Sequence, residues 1–391
     1  MYHQIIKIVW KNKGQNALLL LEIFISFVIL AAVFAYLFNN FQKLNAPLGF
    51  ETKDRWMVLF GDYYIKKDSL AYVQEVDNLR RNLDNMPEVK SHSFGNMVYP
   101  FSWNNWSSIT EVNNIKLEYK LAAYDDEFNN TMEVPIVEGR WYNKPLQTND
   151  IDEVVVNNVF KNLYFPDKNI IDSVFNLNGD KKIVGIIENF KYNGEFTVED
   201  PIAISYQSPY NKEQATCLYL QMQENTPTIV EEKINKLITQ TTGSTNFTIK
   251  NLDEERIRGS RMTWVTLIAI SLVALFLVIN VAMGLFGVLW YNINKRRYEI
   301  SLRKAMGATE GKIMQQFIIE ILGLSMLAIG LGSLVISQVA YFNLIGFFDK
   351  DKLYTGMMLA IVFISVLVLA CAIYPSYKAA RMHPADGLKE E

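Results

Sequence analysis

Cysteine and histidine are scarce in this chain of 391 residues. With only two cysteines, Cys217 and Cys371, the sequence predicts no disulfide framework, and it contains no CxxC metal or redox motif. The three histidines, His3, His92 and His383, lie far apart in the sequence and give a histidine-based metal site almost no support. The sequence therefore predicts no metal site.

The motifs of common catalytic sites are also missing. Gly311 and Lys312 are followed by Ile313, and Met306 stands where the phosphate-binding loop GxxxxGK[ST] needs its first glycine. No HExxH, GxSxG or SxxK match has a supporting context. Pairs of neighbouring acidic residues occur, but such pairs are common on solvated faces. We therefore expect that this chain is not an enzyme and has no cofactor of its own.

Hydrophobic residues, in contrast, make up 50% of the chain and are grouped in long runs. A helix needs roughly 20 apolar residues to cross the hydrocarbon core of a bilayer. Four runs are long enough, and we interpret them as transmembrane helices at residues 17–38, 262–290, 314–342 and 354–375. The first run is longer than the core of a cleaved signal peptide, so we expect it to remain as a span.

Cationic residues indicate the direction of these spans, because cytoplasmic loops carry an excess of lysine and arginine. Three segments must share one side, and each contains at least three lysine or arginine residues: 1–16, 291–313 and 376–391. We therefore place them in the cytoplasm, with residues 39–261 as a large external domain and 343–353 as a short external loop. The external domain contains 24 cationic and 32 acidic residues, a net charge of −8, which argues against nucleic-acid binding.

The external domain shows the mixed periodicity of an α+β fold. Residues 55–98 read as a strand, a helix and a second strand, and the same order recurs at 216–252. Between them, at about residues 125–212, strand patterns are more frequent. We therefore predict two β-α-β units that flank a strand-rich insertion. The predicted fold class is an integral membrane protein with four transmembrane helices and a large α+β domain.

The basic segment between the second and third spans has a second pattern besides its charge. A helix over residues 296–306 would present one stripe of mainly apolar residues, namely Tyr298, Leu302, Ala305 and Met306. Glu299 and Arg303 have the spacing of an i,i+4 ion pair, and Gly307 suits a helix C-cap. Such a helix would fit a groove of a partner protein. The alternative is a loop that only holds anionic lipid headgroups.

Two acidic residues and two glycines within the predicted spans are candidate functional residues. Glu22 and Glu320 lie within about two turns of a cytoplasmic end. An ionisable group in a span is often functional, but these two would also be explained by pairing with nearby lysine or arginine or by contact with the interface. Gly330 and Gly332 in the third span allow helices to approach closely, and we predict that they lie at a dimer seam.

Four stretches of the sequence carry a resemblance to a known family. They are KIVWKNKGQNALLLLEI (7–23), EVVVNNVFKNLYFPD with KKIVGIIENFKY (153–167 and 181–192), RRYEISLRKAMGAT (296–309) and YPSYKAARMHPADGLKEE (374–391). With one span before a large external domain and three spans after it, the chain resembles the FtsX-like, MacB-type permeases of ABC transporters. The stretch at 296–309 is the most specific of the four.

The resemblance implies a multi-pass protein of the bacterial inner membrane. Residues 1–16 would be a cytoplasmic amphipathic lead, 39–261 a MacB-like periplasmic core domain, and 291–313 a cytoplasmic coupling loop. Because the first span begins 16 residues into the chain, we expect a separate cytoplasmic ATPase, which would hold the ATP and magnesium. The residues that would contact this ATPase are Arg296, Arg297, Glu299, Leu302, Arg303, Lys304, Met306 and Gly307.

These patterns favour a permease subunit that transmits force from ATP hydrolysis to its periplasmic domain. The process would be export, lipoprotein extraction or cell-envelope regulation, and the sequence pattern does not name a substrate. Its partners would be the ATPase, a second permease copy or paralogue, membrane lipids and, depending on the process, a periplasmic adaptor or lipoprotein. The alternative is a membrane-anchored periplasmic sensor or binding module without ATP coupling, although the cytoplasmic segments leave little room for an output domain.

Overall fold

The computed structural model of the protein describes residues 13–61, 69–96, 99–101, 107–112, 115–143, 145, 151–210, 216–343 and 349–381. The predicted lead at 1–16 and the predicted tail at 376–391 therefore lie largely outside the described residues. The chain divides into two compact units. The helical unit comprises Met1–Gln42 and Trp264–Glu391, and the strand-rich unit comprises Lys43–Thr263.

The elements follow one another as one long helix, a strand-rich middle and three further long helices. In chain order they are α1 (Lys13–Asn45), β1 (Arg55–Phe60), α2 (Ser69–Asp84), β2 (Val89–Gly95), β3 (Ser108–Val112), β4 (Ile115–Tyr124), α3 (Phe128–Met132), β5 (Ile136–Gly139), β6 (Asp152–Asn157), α4 (Asn158–Tyr164), β7 (Val174–Asn176), β8 (Asp180–Ile187), β9 (Ile202–Tyr206), β10 (Cys217–Met222), α5 (Ile229–Thr242), β11 (Phe247–Asn251), α6 (Leu252–Lys295), α7 (Arg297–Ala305), α8 (Glu310–Tyr341) and α9 (Lys350–Ala380).

Helices α1, α6, α8 and α9 are each long and apolar enough to cross a membrane. They confirm the four apolar helices that the sequence predicts. Each helix extends past its apolar run, because backbone hydrogen bonding continues through the polar residues at its ends. Helix α6, for example, begins at Leu252 rather than near Met262, and α9 begins at Lys350, inside the predicted loop at 343–353.

Helix α1 is the most buried of the four long helices. Five of its buried apolar side chains recur at every fourth residue and therefore share one face: Leu19, Ile23, Phe27, Ala31 and Ala35. All but Ala35 belong to one apolar cluster with residues of the other long helices, such as Val281, Ile321 and Ile364. Helix α6, in contrast, keeps an exposed apolar face that includes Leu272 and Phe276. In the helical unit, α1 is thus the common packing partner.

A glycine allows α1 and α9 to approach closely. A Cβ atom on Gly356 of α9 would lie 2.4 Å from the carbonyl oxygen of Ala31 and 2.6 Å from the Cβ atom of Ala35. These distances are far below van der Waals contact, and both neighbours belong to α1. Because packed interiors leave no room for an added methyl group, Gly356 sets the spacing between the two helices.

Four strands of the strand-rich unit form an antiparallel sheet in the order β11-β1-β10-β2. Helix α2 connects β1 to β2, and α5 connects β10 to β11. Alternate residues of β1 face opposite sides of this sheet. Trp56, Val58 and Phe60 pack with the helices, whereas Met57 belongs to an aromatic core on the other face. The sheet is therefore buried on both faces at β1.

The insertion extends the sheet through β4-β9-β6-β8-β5, with β3 beside β4 and β7 beside β8. The pairs β4–β9 and β6–β8 are parallel. Because β3 and β4 pair with this part of the sheet, the insertion begins before the predicted boundary near residue 125. The boundary is not visible in the sequence, since the alternation of a strand does not indicate its partner strand.

A buried carboxylate supports the junction where β2 meets β4. Ser93 Oγ donates to Asp125 Oδ1 at 2.5 Å, and the backbone N–H of Phe94 donates to Oδ2 at 2.9 Å. The guanidinium of Arg80 lies 3.6 Å from the same carboxylate. Burial raises the pKa of Asp125 to about 7, although the two hydrogen bonds and Arg80 oppose this shift.

We expect Gly356→Ala to destabilise the helical unit, because even a methyl group would meet backbone atoms of α1. The thermal unfolding midpoint of the full chain in detergent should fall by several degrees, which corresponds to roughly 1–3 kcal/mol. Gly330→Ala is the matched control, because no described atom outside its own helix lies within 4 Å of the Cβ position on Gly330. Equal midpoints for the two variants would contradict the close packing of α1 and α9.

The strand-rich unit should lose stability as the pH rises from 5 to 8. Asp125 has an ordinary pKa of 3.8 and a pKa of about 7 in the fold. Its proton therefore stabilises the fold fully below pH 3.8, and this contribution is lost as the pH rises through 7. We expect the unfolding midpoint, followed by tryptophan fluorescence, to be higher at pH 5.

Asp125→Asn provides the control for this pH dependence, because the amide stays neutral at both pH values. The variant should show a smaller difference between pH 5 and pH 8 than the native chain. His92, whose pKa burial lowers, acts in the opposite direction and is present in both proteins. If the pH dependence is identical in the two proteins, groups other than Asp125 cause it.

Candidate functional site

The candidate site is the segment between α6 and α8, whose centre is the short helix α7. Ile300 and Ser301 form the buried face of α7. Ile300 belongs to an apolar cluster with Ile293, Phe317 and Ala379, which come from α6, α8 and α9. Helix α7 is therefore packed against the ends of three long helices.

The opposite face of α7 is apolar and exposed. Tyr298, Leu302 and Met306 recur at every fourth position, and they are 61%, 43% and 73% exposed. Ala305, the fourth residue of the predicted stripe, is exposed as well. Exposed apolar residues that form a contiguous patch mark an interaction surface more often than isolated ones do. We refer to Tyr298, Leu302 and Met306 as the α7 stripe.

Helix α7 ends in a tight turn at Gly307. Met306 is the cap residue, and Gly307 follows it with a φ of +92°. The N–H of Ala308 donates to the carbonyl oxygen of Arg303, and the N–H of Gly307 donates to that of Lys304, both at 3.0 Å. These two bonds form a Schellman motif, which requires a residue in the left-handed conformation. Gly307 is thus the residue that turns the chain toward α8.

Two cations of α7 bind groups of the same chain. Arg303 pairs with Glu299 one turn earlier, as the spacing predicts, and it also donates to the side-chain oxygen of Gln316 on α8. Lys304 Nζ donates to the carbonyl oxygen of Ala380 at the end of α9 at 2.7 Å. These contacts give Arg303 and Lys304 a structural role, and their contact with an ATPase stays a prediction.

Arg296 and Glu320 form an ion pair with two hydrogen bonds. Nη1 donates to Oε2 at 2.8 Å, and Nη2 donates to Oε1 at 3.0 Å. The side chains are 16% and 12% exposed. Arg296 immediately precedes Arg297, the first residue of α7, whereas Glu320 belongs to α8. Of the two interpretations that the sequence leaves open for Glu320, the structure shows pairing with a nearby arginine.

Glu22, the other acidic residue of the predicted spans, lies against α6. A Cβ atom on Gly284 would lie 2.4 Å from a carboxylate oxygen of Glu22. The absence of a side chain on Gly284 therefore leaves room for the carboxylate between α1 and α6. A functional role for Glu22 stays a prediction.

The two glycines predicted for a dimer seam have different surroundings. Gly332 is buried, and a Cβ atom there would lie 2.4 Å from the ring of Phe27 on α1. Gly332 therefore packs against α1 of the same chain and is not accessible to a second copy. Gly330 is exposed, and its place at a dimer seam stays a prediction.

Three contacts of the helical unit have no recognisable signal in the sequence. Gly284 and Gly356 look like ordinary small residues within apolar runs. The ammonium group of Lys378 lies 4.5 Å from the centre of the Trp290 ring and connects α9 to α6 through a cation–π contact. A lysine at this end of a span also suits the charge rule for cytoplasmic loops, so the charge alone does not identify its partner.

Breaking the Arg296–Glu320 pair should destabilise the helical unit. Arg296→Met leaves a largely buried carboxylate without its partner, and with allowance for its partial exposure we expect a loss of about 1–3 kcal/mol. Arg296→Met combined with Glu320→Gln should recover part of this loss. Lys312→Met, which removes an exposed cation of α8, is the control. Thermal unfolding that is the same for Arg296→Met and Lys312→Met would show that the pair contributes nothing.

Comparison with known proteins shows what the chain is similar to. Residues 267–384 match the family described as FtsX-like permease C-terminal, a range that contains α7 and α8. The macrolide export ATP-binding/permease protein MacB of Bordetella avium (strain 197N) is 30% identical over 174 residues, which are 42% of this chain and 26% of that protein. MacB of Neisseria gonorrhoeae is 21% identical over 290 residues, 71% of this chain and 44% of that protein.

The chain thus spans less than half the length of these curated relatives. Among solved structures, the periplasmic region of MacB from Actinobacillus actinomycetemcomitans aligns with 55% of this chain and 95% of that structure, with 15% identity and a TM-score of 0.36. The family match covers α8 and α9 completely and α6 from residue 267 onward, and it includes the candidate site. Residues 267–384 therefore match the FtsX-like permease C-terminal family, and the chain is similar to the permease part of its MacB relatives.

Proposed function

We propose that this chain is the permease subunit of an ABC transporter and that it transmits force from ATP hydrolysis to its strand-rich unit. The observation that carries the proposal is the α7 stripe, which is exposed on a helix whose other face is packed against three long helices. The relatives named MacB are described as ATP-binding/permease proteins. That description supports an ATPase as the partner that covers the stripe.

The α7 stripe suits a protein partner better than a lipid surface. A loop that holds anionic headgroups needs cations that face the membrane surface. In this segment Arg296, Arg303 and Lys304 already bind groups of the same chain. Besides Glu299 and Arg303, which pair with each other, α7 exposes the apolar and aromatic side chains of its stripe. Such anchors on a short helix are typical of a helix that docks in a groove of another protein.

The contacts of α7 would pass a displacement to the long helices. Arg296 connects the start of α7 to α8, and Lys304 connects its end to α9. Because well-packed helices shift as rigid elements, a push on the stripe would move these helix ends together. Helix α6 is continuous from Leu252 to Lys295 and follows β11 directly in the chain. A displacement of α6 would therefore reach the strand-rich unit through the backbone.

We also propose on which side of the membrane each segment lies and which partners the chain binds. The basic segments lie in the cytoplasm of a bacterial inner membrane, and the strand-rich unit lies in the periplasm. ATP and magnesium bind to a separate cytoplasmic ATPase, and a second permease copy or paralogue completes the transporter. The relatives are named for macrolide export. For this chain, export, lipoprotein extraction and cell-envelope regulation are all consistent with force transmission, and a periplasmic adaptor or lipoprotein would be the further partner.

Removing the α7 stripe should separate the permease from its ATPase. We expect Tyr298→Ala with Leu302→Ala to lower the affinity for the ATPase about tenfold or more, because central anchors of an interface each contribute roughly 1–2 kcal/mol. Stimulation of ATP hydrolysis by the permease should fall in parallel. The unfolding midpoint should stay unchanged, because both side chains are exposed. Copurification in detergent and the hydrolysis rate of the reconstituted complex provide the measurements.

A double variant at the far end of α8 is the matched control. Tyr341→Ala with Phe342→Ala removes a similar amount of apolar surface, since these residues are 74% and 65% exposed. The control should bind and stimulate the ATPase like the native chain. Normal binding by the α7 variant, or the absence of any ATPase partner for the native chain, would overturn the proposal in favour of a sensor or binding module.

A further inference from the structure

A loop of the insertion holds the C-terminal end of α1. Residues 188–195, called the clasp loop below, follow β8. Lys191 at its centre is 3% exposed. Its Nζ donates to the carbonyl oxygens of Lys43 at 2.9 Å and Ala46 at 3.3 Å. Carbonyl groups at the C-terminus of a helix lack partners within the helix and attract cations. Lys191 supplies both a donor and a charge at this position.

The segment that follows α1 makes close contact with the clasp loop at Gly49 and Phe50. Gly49 has a φ of +85°, and a Cβ atom there would lie 1.8 Å from the carbonyl oxygen of Asn189. Glycine is therefore required both by the backbone conformation and by the close approach. Phe50 and Phe190 pack beside this contact, with their ring centroids 5.1 Å apart. The clasp loop and the end of α1 are thus in contact through backbone and side chains.

The same loop also contacts the start of α6. Arg256 Nε donates to Glu195 Oε1 at 2.6 Å, and Glu195 is buried. The ring of Phe101 lies 3.6 Å from the Cβ position of Gly194 in the loop and 3.9 Å from that of Gly259 in α6. One loop of eight residues therefore contacts the ends of two long helices, and all of these residues belong to the strand-rich unit.

We propose that the clasp loop joins the end of α1 to the start of α6, so that both helices pass motion to the strand-rich unit together, with Lys191 as the positioning residue. The role in transport rests on the proposed function, whereas the connection itself does not depend on ATP. A direct hydrogen bond from Thr52 Oγ1 to Asp253 Oδ1 at 2.7 Å supports the same connection. Glu199, 3.9 Å from Nζ, supplies a counter-charge for Lys191.

A simple helix cap is the competing explanation for Lys191. A cap stabilises only the helix that it ends. In a clasp, the last turn of α1 and the first turns of α6 unfold locally as one cooperative unit, because losing the contacts on either side releases the clasp loop. The two explanations therefore differ in their effect on α6 when Lys191 is changed.

Hydrogen–deuterium exchange of the full chain in nanodiscs, without any ATPase, distinguishes the two. In Lys191→Met, we expect the amides of residues 43–50 and of residues 252–259 to exchange about tenfold faster than in the native chain. Lys191→Arg retains donors for both carbonyl oxygens and should restore most of the slow exchange. The cap explanation predicts faster exchange at 43–50 only, and that result would overturn the clasp.

The matched control is Lys181→Met. Lys181 is another buried lysine of the insertion, but its Nζ lies 3.0 Å from Asp152 of the neighbouring strand. This variant should leave both helix ends unchanged. Glu195→Gln provides a milder break on the α6 side, and the clasp predicts faster exchange at 43–50 for this variant as well. If Lys191→Met unfolds the whole unit, Glu195→Gln distinguishes the clasp from the cap instead. Unchanged exchange at residues 43–50 in Glu195→Gln would then contradict the clasp.

Nucleotide then tests the role in transport. In the native complex, trapping the ATPase with MgATP and vanadate should change exchange in α7 and at both helix ends. In Lys191→Met, the response of α7 and the affinity for the ATPase should persist, while the response at the helix ends should fall at least threefold. A full response in this variant would overturn the clasp and leave the proposed function intact. A native α7 that does not respond would contradict the proposed function, while the nucleotide-free experiment still decides the clasp.

Discussion

The close packing of α1 against the other long helices is the constraint on which the helical unit depends. Apolar side chains gain little by leaving lipid for a helix–helix contact, so association in a bilayer relies on van der Waals contact between closely spaced backbones. Gly356 provides this contact against Ala31, and Gly332 provides a similar one against Phe27. With α1 held in this way, the ends of α6, α8 and α9 come together in the cluster where Ile300 of α7 packs.

Charged residues hold two segments, α7 and the clasp loop, against the ends of the long helices. Arg296 holds the start of α7 through two hydrogen bonds to Glu320, and Lys191 holds the end of α1 through two carbonyl oxygens. In both cases a cation with little exposure has two acceptors, so a lost bond leaves a polar group unsatisfied and the geometry resists small changes. The proposed force transmission would require this property, because a contact that deforms would absorb a displacement instead of passing it on.

Features that depend on local pattern are predictable from the sequence. The four long helices follow from runs of apolar residues, and α7 follows from the spacing of its stripe and from Gly307. Features that depend on tertiary contact are not, because the partner of Arg296 and the strand beside β4 lie far away in the chain. Lys191 carries no local signal at all, since its burial arises only where the clasp loop meets the end of α1.

The exposed face of α7 is the surface that we propose to contact an ATPase. A photo-reactive amino acid at Leu302, introduced into the full chain in native membranes, tests this contact most directly, since the side chain is exposed and replacing it leaves the buried face of α7 intact. We expect one dominant cross-linked protein, which mass spectrometry identifies as a cytoplasmic nucleotide-binding subunit. Cross-links to lipid alone, or to a protein without a nucleotide-binding domain, would contradict an ATPase contact at α7.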